Sequence, residues 1–331
     1  MHISKLNEVY LKVETDSGLA RELSDYFTFE VPGARFMPAY RNKIWDGKIR
    51  LFSAQTGKIY FGLLAYIEQF CVTNEVEYII EDNLKDEKLN LQRSTAEDFI
   101  KSLRPTSNGK LLELRDYQID AVHSAIRKHR GLFLSPTASG KSLIIYALVR
   151  YYDILLGEQK VLILVPTTSL VEQMYSDFID YGWSDDYLHR IYAGHERDTN
   201  KSVVISTWQS LYKMKKPYFK QFGCVIGDEA HLFKSKSLTS ILTKLDLCKY
   251  RFGLTGTLDG TQTHRLVLEG LFGSVEKVTT TKELMESGTL ADLEIKCIVL
   301  KHTEEESKNL RGLSYAEEIN YLVGNLSLIH I

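Results

Sequence analysis

At Gly131–Ser142, GLFLSPTASGKS, a short apolar run breaks into a loop of small residues and then into a helix. Leu132, Phe133 and Leu134 read as a buried parallel strand, and the following LIIYALVRYY repeats its apolar residues at helical spacing. Strand, small-residue loop and helix are the setting a phosphate-binding loop needs. Consecutive backbone N–H groups in such a loop surround an anion, and the helix N-terminus adds its partial positive charge. Pro136, Thr137, Ala138, Ser139 and Gly140 then form the loop. Lys141 would reach the β- and γ-phosphates of ATP, and the Ser142 hydroxyl would hold Mg²⁺. The pattern G-x-x-x-x-G-K-[ST] fails at its head, where Ser135 replaces glycine. An ordinary strand–helix turn is the bland alternative.

From Leu111 onward strands and helices alternate, which predicts an α/β fold with a parallel sheet. LRDYQIDAVHSAIRKH predicts a helix, KVLILVP a buried strand ended by Pro166, and TTSLVEQMYSDFIDYG a helix. Ser202–Ser206 and Tyr250–Leu254 read as further strands, and CVIGDEAH as a strand running into two acids. Each polar cluster follows a strand, and at that edge an open α/β sheet binds its ligands. Asp228 could hold Mg²⁺ there while Glu229 polarises an attacking water. The competing explanation for Asp-Glu after a strand is a helix cap with a first-turn acid. His231 suits a polar relay better than a metal site, because no second His or Cys stands at matching spacing. Thr255 and Thr257 could bond to it or cap a turn. Gln118 carries a donor and an acceptor, enough to read an adenine edge.

The 331 residues carry a formal net charge of −2, so any nucleic-acid surface must be local. Cys71, Cys224, Cys248 and Cys297 have no ligand spacing and read as reduced core thiols. No apolar run is long enough to span a bilayer. Residues 1–103 predict a small α+β domain, and RPTSNGK at 104–110 a linker. Ser17 is the expected cap of the helix SGLARELSDYF. Lys48–Phe52 and Lys58–Phe61 predict a hairpin around the turn 54–57. Within Arg35–Phe61, the cations Arg35, Arg41, Lys43, Lys48, Arg50 and Lys58 alternate with Phe36, Tyr40, Trp45, Phe52 and Tyr60. Such mixing suits a nucleic-acid surface that neutralises phosphates and stacks bases. A solvated hairpin with an aromatic core would look the same.

LRDYQ (114–118), SPTASGKS (135–142), VPTTSLVEQ (165–173), STWQSL (206–211), DEAH (228–231) and LTGT (254–257) occur in one order. That order resembles the Q-like motif and motifs I, Ia, Ib, II and III of superfamily 2 helicases. RFMPAYRNKIWDGKIRLF, CVIGDEAHLFKSKSLTSIL and FGLTGTLDG are similar, within that superfamily, to the UvsW-type helicases of T-even-like bacteriophages. The resemblance implies a RecA-like ATP-binding domain at 111–260 and, at 261–331, a linker and the start of a second RecA-like domain, opened by a strand at Leu293–Leu300. It implies an ATP-driven motor on single-stranded and branched DNA (R-loops, Holliday junctions, stalled forks), with RNA–DNA hybrids as further substrates. A monomer in the host cytoplasm follows, working in phage recombination and repair.

Carried over, Lys141, Asp228 and Glu229 are catalytic, with Ser142 and Asp228 on Mg²⁺. Arg115 and Gln118 lie on the adenine side. Pro166, Thr167 and Thr207 match positions that contact the strand backbone. His231, Thr255 and Thr257 couple hydrolysis to movement. Arg41, Lys43, Trp45, Lys48 and Arg50 fall in an accessory DNA-binding domain. Motifs IV, V and VI are absent, including the arginine that stabilises the γ-phosphate in the transition state. The expectation is therefore an N-terminal part that binds ATP and DNA weakly and turns over poorly. A non-catalytic ATP- and DNA-binding fragment and an unrelated P-loop enzyme remain as alternatives.

Overall fold

The computed structural model describes residues 1–84, 90–194, 196–234, 236–258, 262–291, 307–308 and 310–324. They belong to two compact units, Met1–Leu290 and Ala291–Ile331. The first begins with β1 (His2–Lys5) and β2 (Tyr10–Glu14), helix α1 (Ser17–Tyr26), and the short strands β3 (Thr28–Glu30), β4 (Lys48–Arg50) and β5 (Lys58–Tyr60). Helix α2 (Leu64–Thr73) and β6 (Ile79–Ile80) follow. The order β5-β2-β1-β6 makes a small mixed sheet, while β3 pairs only with β4.

The expected hairpin does not form. β4 pairs with β3 and β5 with β2, and a single bridge between Ser53 and Lys58 is all that joins the two arms. Leu51 and Phe52 turn into the core, at 7% and 1% exposure, and bend the first arm away. The second is held by Gly57, whose φ of +66° and whose approach to Val13 O leave no room for a Cβ. The cap of α1 is Asp16, not Ser17: its Oδ1 accepts the Gly18 and Leu19 N–H groups at 2.9 and 3.0 Å. After α3 (Arg93–Leu103), residues 104–110 are tied down by the pair β7 (Thr106–Ser107) and β8 (Lys110–Leu111).

Next come α4 (Asp116–Lys128), β9 (Arg130–Leu134), α5 (Lys141–Leu156), β10 (Lys160–Val165), α6 (Thr168–Asp180), β11 (Leu188–Ile191), β12 (Val203–Thr207) and β13 (Phe222–Gly227). α7 (Lys236–Lys244), β14 (Tyr250–Thr255), α8 (Gln262–Phe272), β15 (Val275–Lys277) and α9 (Thr281–Glu286) complete the unit. Seven parallel strands lie in the order β11-β12-β10-β13-β14-β9-β15. Both faces are covered, so β10 from Val161 onward and β13 are apolar without a break, as a parallel sheet requires, while β14 is buried likewise but carries Arg251. Alternate residues nevertheless sort to opposite faces. Leu132, Leu162, Leu164, Val204 and Val225 pack on one side. Phe133, Val161, Ile163, Ile205 and Ile226 pack on the other, with α4, α5 and α6. The edge strand β11 and the strand β15 had no legible pattern in the sequence, and β15 carries the sheet past residue 260.

The first face is shared with the N-terminal module, whose Ile3, Leu11, Leu63 and Ile67 join the same core. Its seat is α8. Leu266 through Phe272 are all buried, because the sheet covers one side of this helix and the module the other. Gly62 lets the backbones touch, since a Cβ there would stand 1.9 Å from Glu269 O, and Gly270 makes room for the Tyr60 side chain. Glu269, 3% exposed, accepts from Tyr66 Oη at 2.7 Å and from Arg265 Nε at 2.6 Å. Burial and this carboxylate push the Tyr66 hydroxyl up to about 12. Nearby, the Arg130 guanidinium lies 3.8 Å from the Phe61 ring centroid and donates to Glu8. In the second unit the described residues include α10 (Tyr315–Gly324), none of it buried. The strand expected at Leu293–Leu300 and Cys297 lie outside the described residues.

Tyr66→Phe leaves the Glu269 carboxylate one donor short and should cost about 1–3 kcal/mol in urea unfolding. Gly62→Ala, which drives a methyl into backbone, should cost more than Tyr66→Phe in the same assay.

Candidate nucleotide site and nucleic-acid surfaces

The loop 135–140 joins β9 to α5 and is braced from below. Ser135 Oγ lies 2.5 Å from Ser139 Oγ, both side chains fully buried, and Ser139 Oγ donates to Pro136 O. Serine at the head of the loop therefore supplies a hydrogen bond that glycine could not. Gln118 braces the other end. Its Nε2 donates to Ser139 O at 2.9 Å, its Oε1 accepts Arg115 N–H at 2.9 Å, and it is 4% exposed. Tyr117, a residue the sequence pattern did not single out, donates to the same Ser139 O at 3.2 Å and accepts from Arg115 Nη1 at 2.8 Å. Gly140 has φ +76°, and a Cβ there would stand 2.3 Å from Gln118 Nε2. Thr137 and Ala138 face solvent at the tip, Ala138 at φ +64°.

Lys141 Nζ reaches across the strand ends to Glu229 Oε1 at 2.7 Å. Glu229 sits at φ +50°, a conformation that costs a non-glycine residue energy and that clusters at functional sites. The neighbouring Asp228 is 7% exposed; its N–H reaches Leu164 O on β10, and its Oδ1 accepts Glu229 N–H. Burial pushes the Asp228 carboxyl above the usual carboxylate range, and the Lys141 ammonium offsets this only in part. Thr255 Oγ1 donates to Thr257 O at 2.9 Å, so it must accept from His231 Nδ1 at 2.9 Å. That fixes the proton of His231 on Nδ1, and Glu229 Oε2 stands 3.4 Å from the same atom. The relay His231–Thr255 thus joins the ends of β13 and β14.

Ser142 faces α6. It lies close to Asp177 and Tyr181; burial raises both groups, the Tyr181 hydroxyl to about 12, and the Ser142 hydroxyl offsets this in part. No sequence signal pointed to either residue. Among the described residues no group of three or more His, Cys, Asp or Glu side chains could hold a metal alone. A Mg²⁺ ion bound mainly through nucleotide phosphates and water needs only one or two protein oxygens. Asp228 suits that: it is a buried carboxylate, and the Lys141 ammonium near it is engaged by Glu229.

Pro166 and Thr167 lie at the end of β10, and Thr167 is exposed. Thr207, at 3%, is buried and bonds to Ser210 Oγ. On the N-terminal module Arg35, Tyr40, Arg41, Lys43, Ile44, Trp45, Asp46 and Arg50 line an open cavity of about 920 Å³. Arg50 is engaged by Asp46 at 2.5 Å, whose carboxyl it holds low. Trp45 Nε1 donates to Lys48 O. Arg41 and Lys43 stay exposed, with Phe36 and Ile44 beside them at 63% and 79%.

A parallel sheet with a phosphate loop after β9, carboxylates after β13 and a polar relay to β14 defines a RecA-like P-loop NTPase domain. Residues 3–81 match the family described as DNA helicase UvsW, N-terminal, and residues 111–260 the family described as Type III restriction enzyme, res subunit. The ATP-dependent DNA helicase uvsW of Enterobacteria phage T4 is 36% identical over 320 residues, 95% of this chain and 63% of the relative. A crystal structure of the UvsW helicase from bacteriophage T4 superposes with a TM-score of 0.77 at 35% identity, covering 83% of this chain and 99% of that one. DNA 3'-5' translocase XPB2 of Sulfurisphaera tokodaii is 30% identical over 202 residues, 61% of this chain and 44% of the relative. The chain belongs to the UvsW helicase family. It spans 63% of the length of the T4 relative.

A carboxyl raised by burial destabilises the fold when ionised, so that stability falls as pH rises through its folded pKa. Asp228→Asn should therefore raise the melting temperature at pH 8, and the gain should shrink as pH falls toward the ordinary carboxylate range, about 4. A gain that is constant with pH, or a loss at pH 8, would contradict the assignment.

Proposed function

We propose that this chain is the ATP-binding part of an ATP-dependent DNA helicase or translocase acting on branched DNA. The observation that carries the reading is the contact of Lys141 with Glu229 across the ends of β9 and β13. A γ-phosphate entering the loop would compete for Lys141 and free the Glu229 carboxylate to polarise the attacking water. Asp228 and Ser142 would hold Mg²⁺, which supplies charge neutralisation at the phosphates. Arg115, Tyr117 and Gln118 keep the loop in shape on the adenine side, and His231, Thr255 and Thr257 pass the state of Glu229 to β14. Glu229→Gln should retain ATP binding and lower hydrolysis by a hundredfold or more, about the size of a lost general base. Lys141→Ala should lose the binding itself. ATP binding without hydrolysis in the unaltered chain would favour instead a non-catalytic ATP- and DNA-binding role.

DNA is the proposed track, engaged by Pro166 and Thr167 at the sheet edge and by the cation-lined cavity of the N-terminal module. Family membership supports R-loops, Holliday junctions and stalled forks as substrates, RNA–DNA hybrids included, with the protein working as a monomer in the host cytoplasm. The buried Thr207 orders the turn behind that edge. Because Arg50 is partly neutralised by Asp46, the salt dependence of DNA binding should rest on Arg41, Lys43 and Lys48. Replacing all three by alanine should make the slope of log K against log salt less steep by about two to three units on duplex DNA. An unchanged slope would make this surface a solvated face only.

A further inference from the structure

Residues Thr199–Gly227 contain no acid, although the whole chain carries 43 acids against 41 lysines and arginines. Most of that stretch is buried strand, β12 and β13. What it presents to solvent is the loop Tyr212–Lys220, YKMKKPYFK. Leu211 and Phe219 pin its ends in the core at 0% and 1% exposure, while Lys213, Lys215, Lys216 and Lys220 all point outward. The loop is held in shape. Lys244 Nζ donates to Tyr212 O at 2.7 Å and to Met214 O at 2.9 Å, and Tyr218 Oη donates to Arg197 O at 3.0 Å. Lys216 is neutralised by Asp246 at 2.5 Å. Lys213, Lys215 and Lys220 have no carboxylate partner among the described residues; Lys213 leans over the Tyr212 ring at 5.5 Å.

Three unpaired ammonium groups on an anchored, acid-free loop repel one another and gain most from a polyanion that meets them together. An acidic protein segment suits the loop poorly, since Tyr212, Met214 and Tyr218 are half-buried and leave little apolar surface for an interface core. The loop also begins a few residues after Thr207, where β12 delivers the chain to the edge expected to meet DNA. We propose that Lys213, Lys215 and Lys220 form a second DNA surface, separate from the cavity at Arg35–Arg50, which holds the phosphodiester backbone without reading sequence. This rests on the DNA-binding reading above and extends it to residues outside the helicase motifs.

The test is fluorescence anisotropy of labelled duplex and single-stranded oligonucleotides with the full 331-residue chain, over a salt series of about 50 to 200 mM. The triple variant Lys213→Ala, Lys215→Ala, Lys220→Ala should flatten the slope of log K against log salt by about 0.9 per lost duplex contact and about 0.7 per single-strand contact. The control is Lys101→Ala, Lys110→Ala, Lys282→Ala, which removes the same charge from other exposed positions. It should leave the slope as it was. A wild-type chain that binds neither oligonucleotide would sink the proposed function itself. If wild type binds and the loop variant keeps its slope, only this inference fails. An equal flattening in the control would assign the effect to net charge and overturn it as well.

Discussion

One fully buried cation holds together the face on which the rest of the molecule is stacked. Arg251, on β14, is 0% exposed, and among the described residues no carboxylate is paired with its guanidinium. Its Nε donates to Leu271 O, Nη1 to Leu245 O and Nη2 to Leu242 O, at 2.9, 3.0 and 2.8 Å. Those carbonyls belong to the C-terminal ends of α7 and α8, where unpaired C=O groups concentrate partial negative charge. Two helix ends thus do the work of a counter-ion, and the planar fork sets the position of both helices against the sheet. The cost shows in the guanidinium itself, which burial pulls below its ordinary range. Since α8 is the seat of the N-terminal module, Arg251 indirectly fixes where that module's cationic cavity sits relative to the phosphate loop.

The nucleotide site shows a different balance. Its scaffold is over-determined: Ser139 O alone receives Gln118 and Tyr117, and Ser135 closes the loop from beneath. The groups assigned to chemistry are the ones left uncomfortable. Asp228 is buried without a full counter-charge, Glu229 holds a left-handed backbone, and Lys141 is spent on Glu229. A rigid frame around strained functional groups is the arrangement expected where binding a charged ligand is to be rewarded.

How much of this was legible depends on how local the determining interactions are. The parallel sheet was readable because β10 and β13 are continuous apolar runs, and the residues next in sequence are carried to the ligand edge. Lys141, Asp228, Glu229, His231 and Thr255 could be assigned to that edge from the sequence, and the structure brings them together there. Gln118 was found too, but its partner was invisible. Whether its amide faces a ligand or Ser139 O depends on a loop 21 residues away. β11 and β15 escaped notice because short edge strands carry too few residues to establish a period.

The N-terminal module was misread for the same reason carried further. Lys48–Phe52 and Lys58–Phe61, two short runs around a Gly-containing turn, satisfy the local rule for a hairpin. The rule loses because each arm has a better partner elsewhere, Thr28–Glu30 for one and Tyr10–Lys12 for the other. The contact that orients the whole module, Tyr66 with Glu269, spans 203 residues of sequence. No window could contain it. What a sequence does carry of such a contact is the requirement for empty space, at Gly62 and Gly270. A glycine in an apolar helix such as α8 costs about 1 kcal/mol against alanine. Its presence there is therefore a sign that another element must come close, and here it is the N-terminal module, whose Tyr60 side chain fills the space that a Cβ on Gly270 would take.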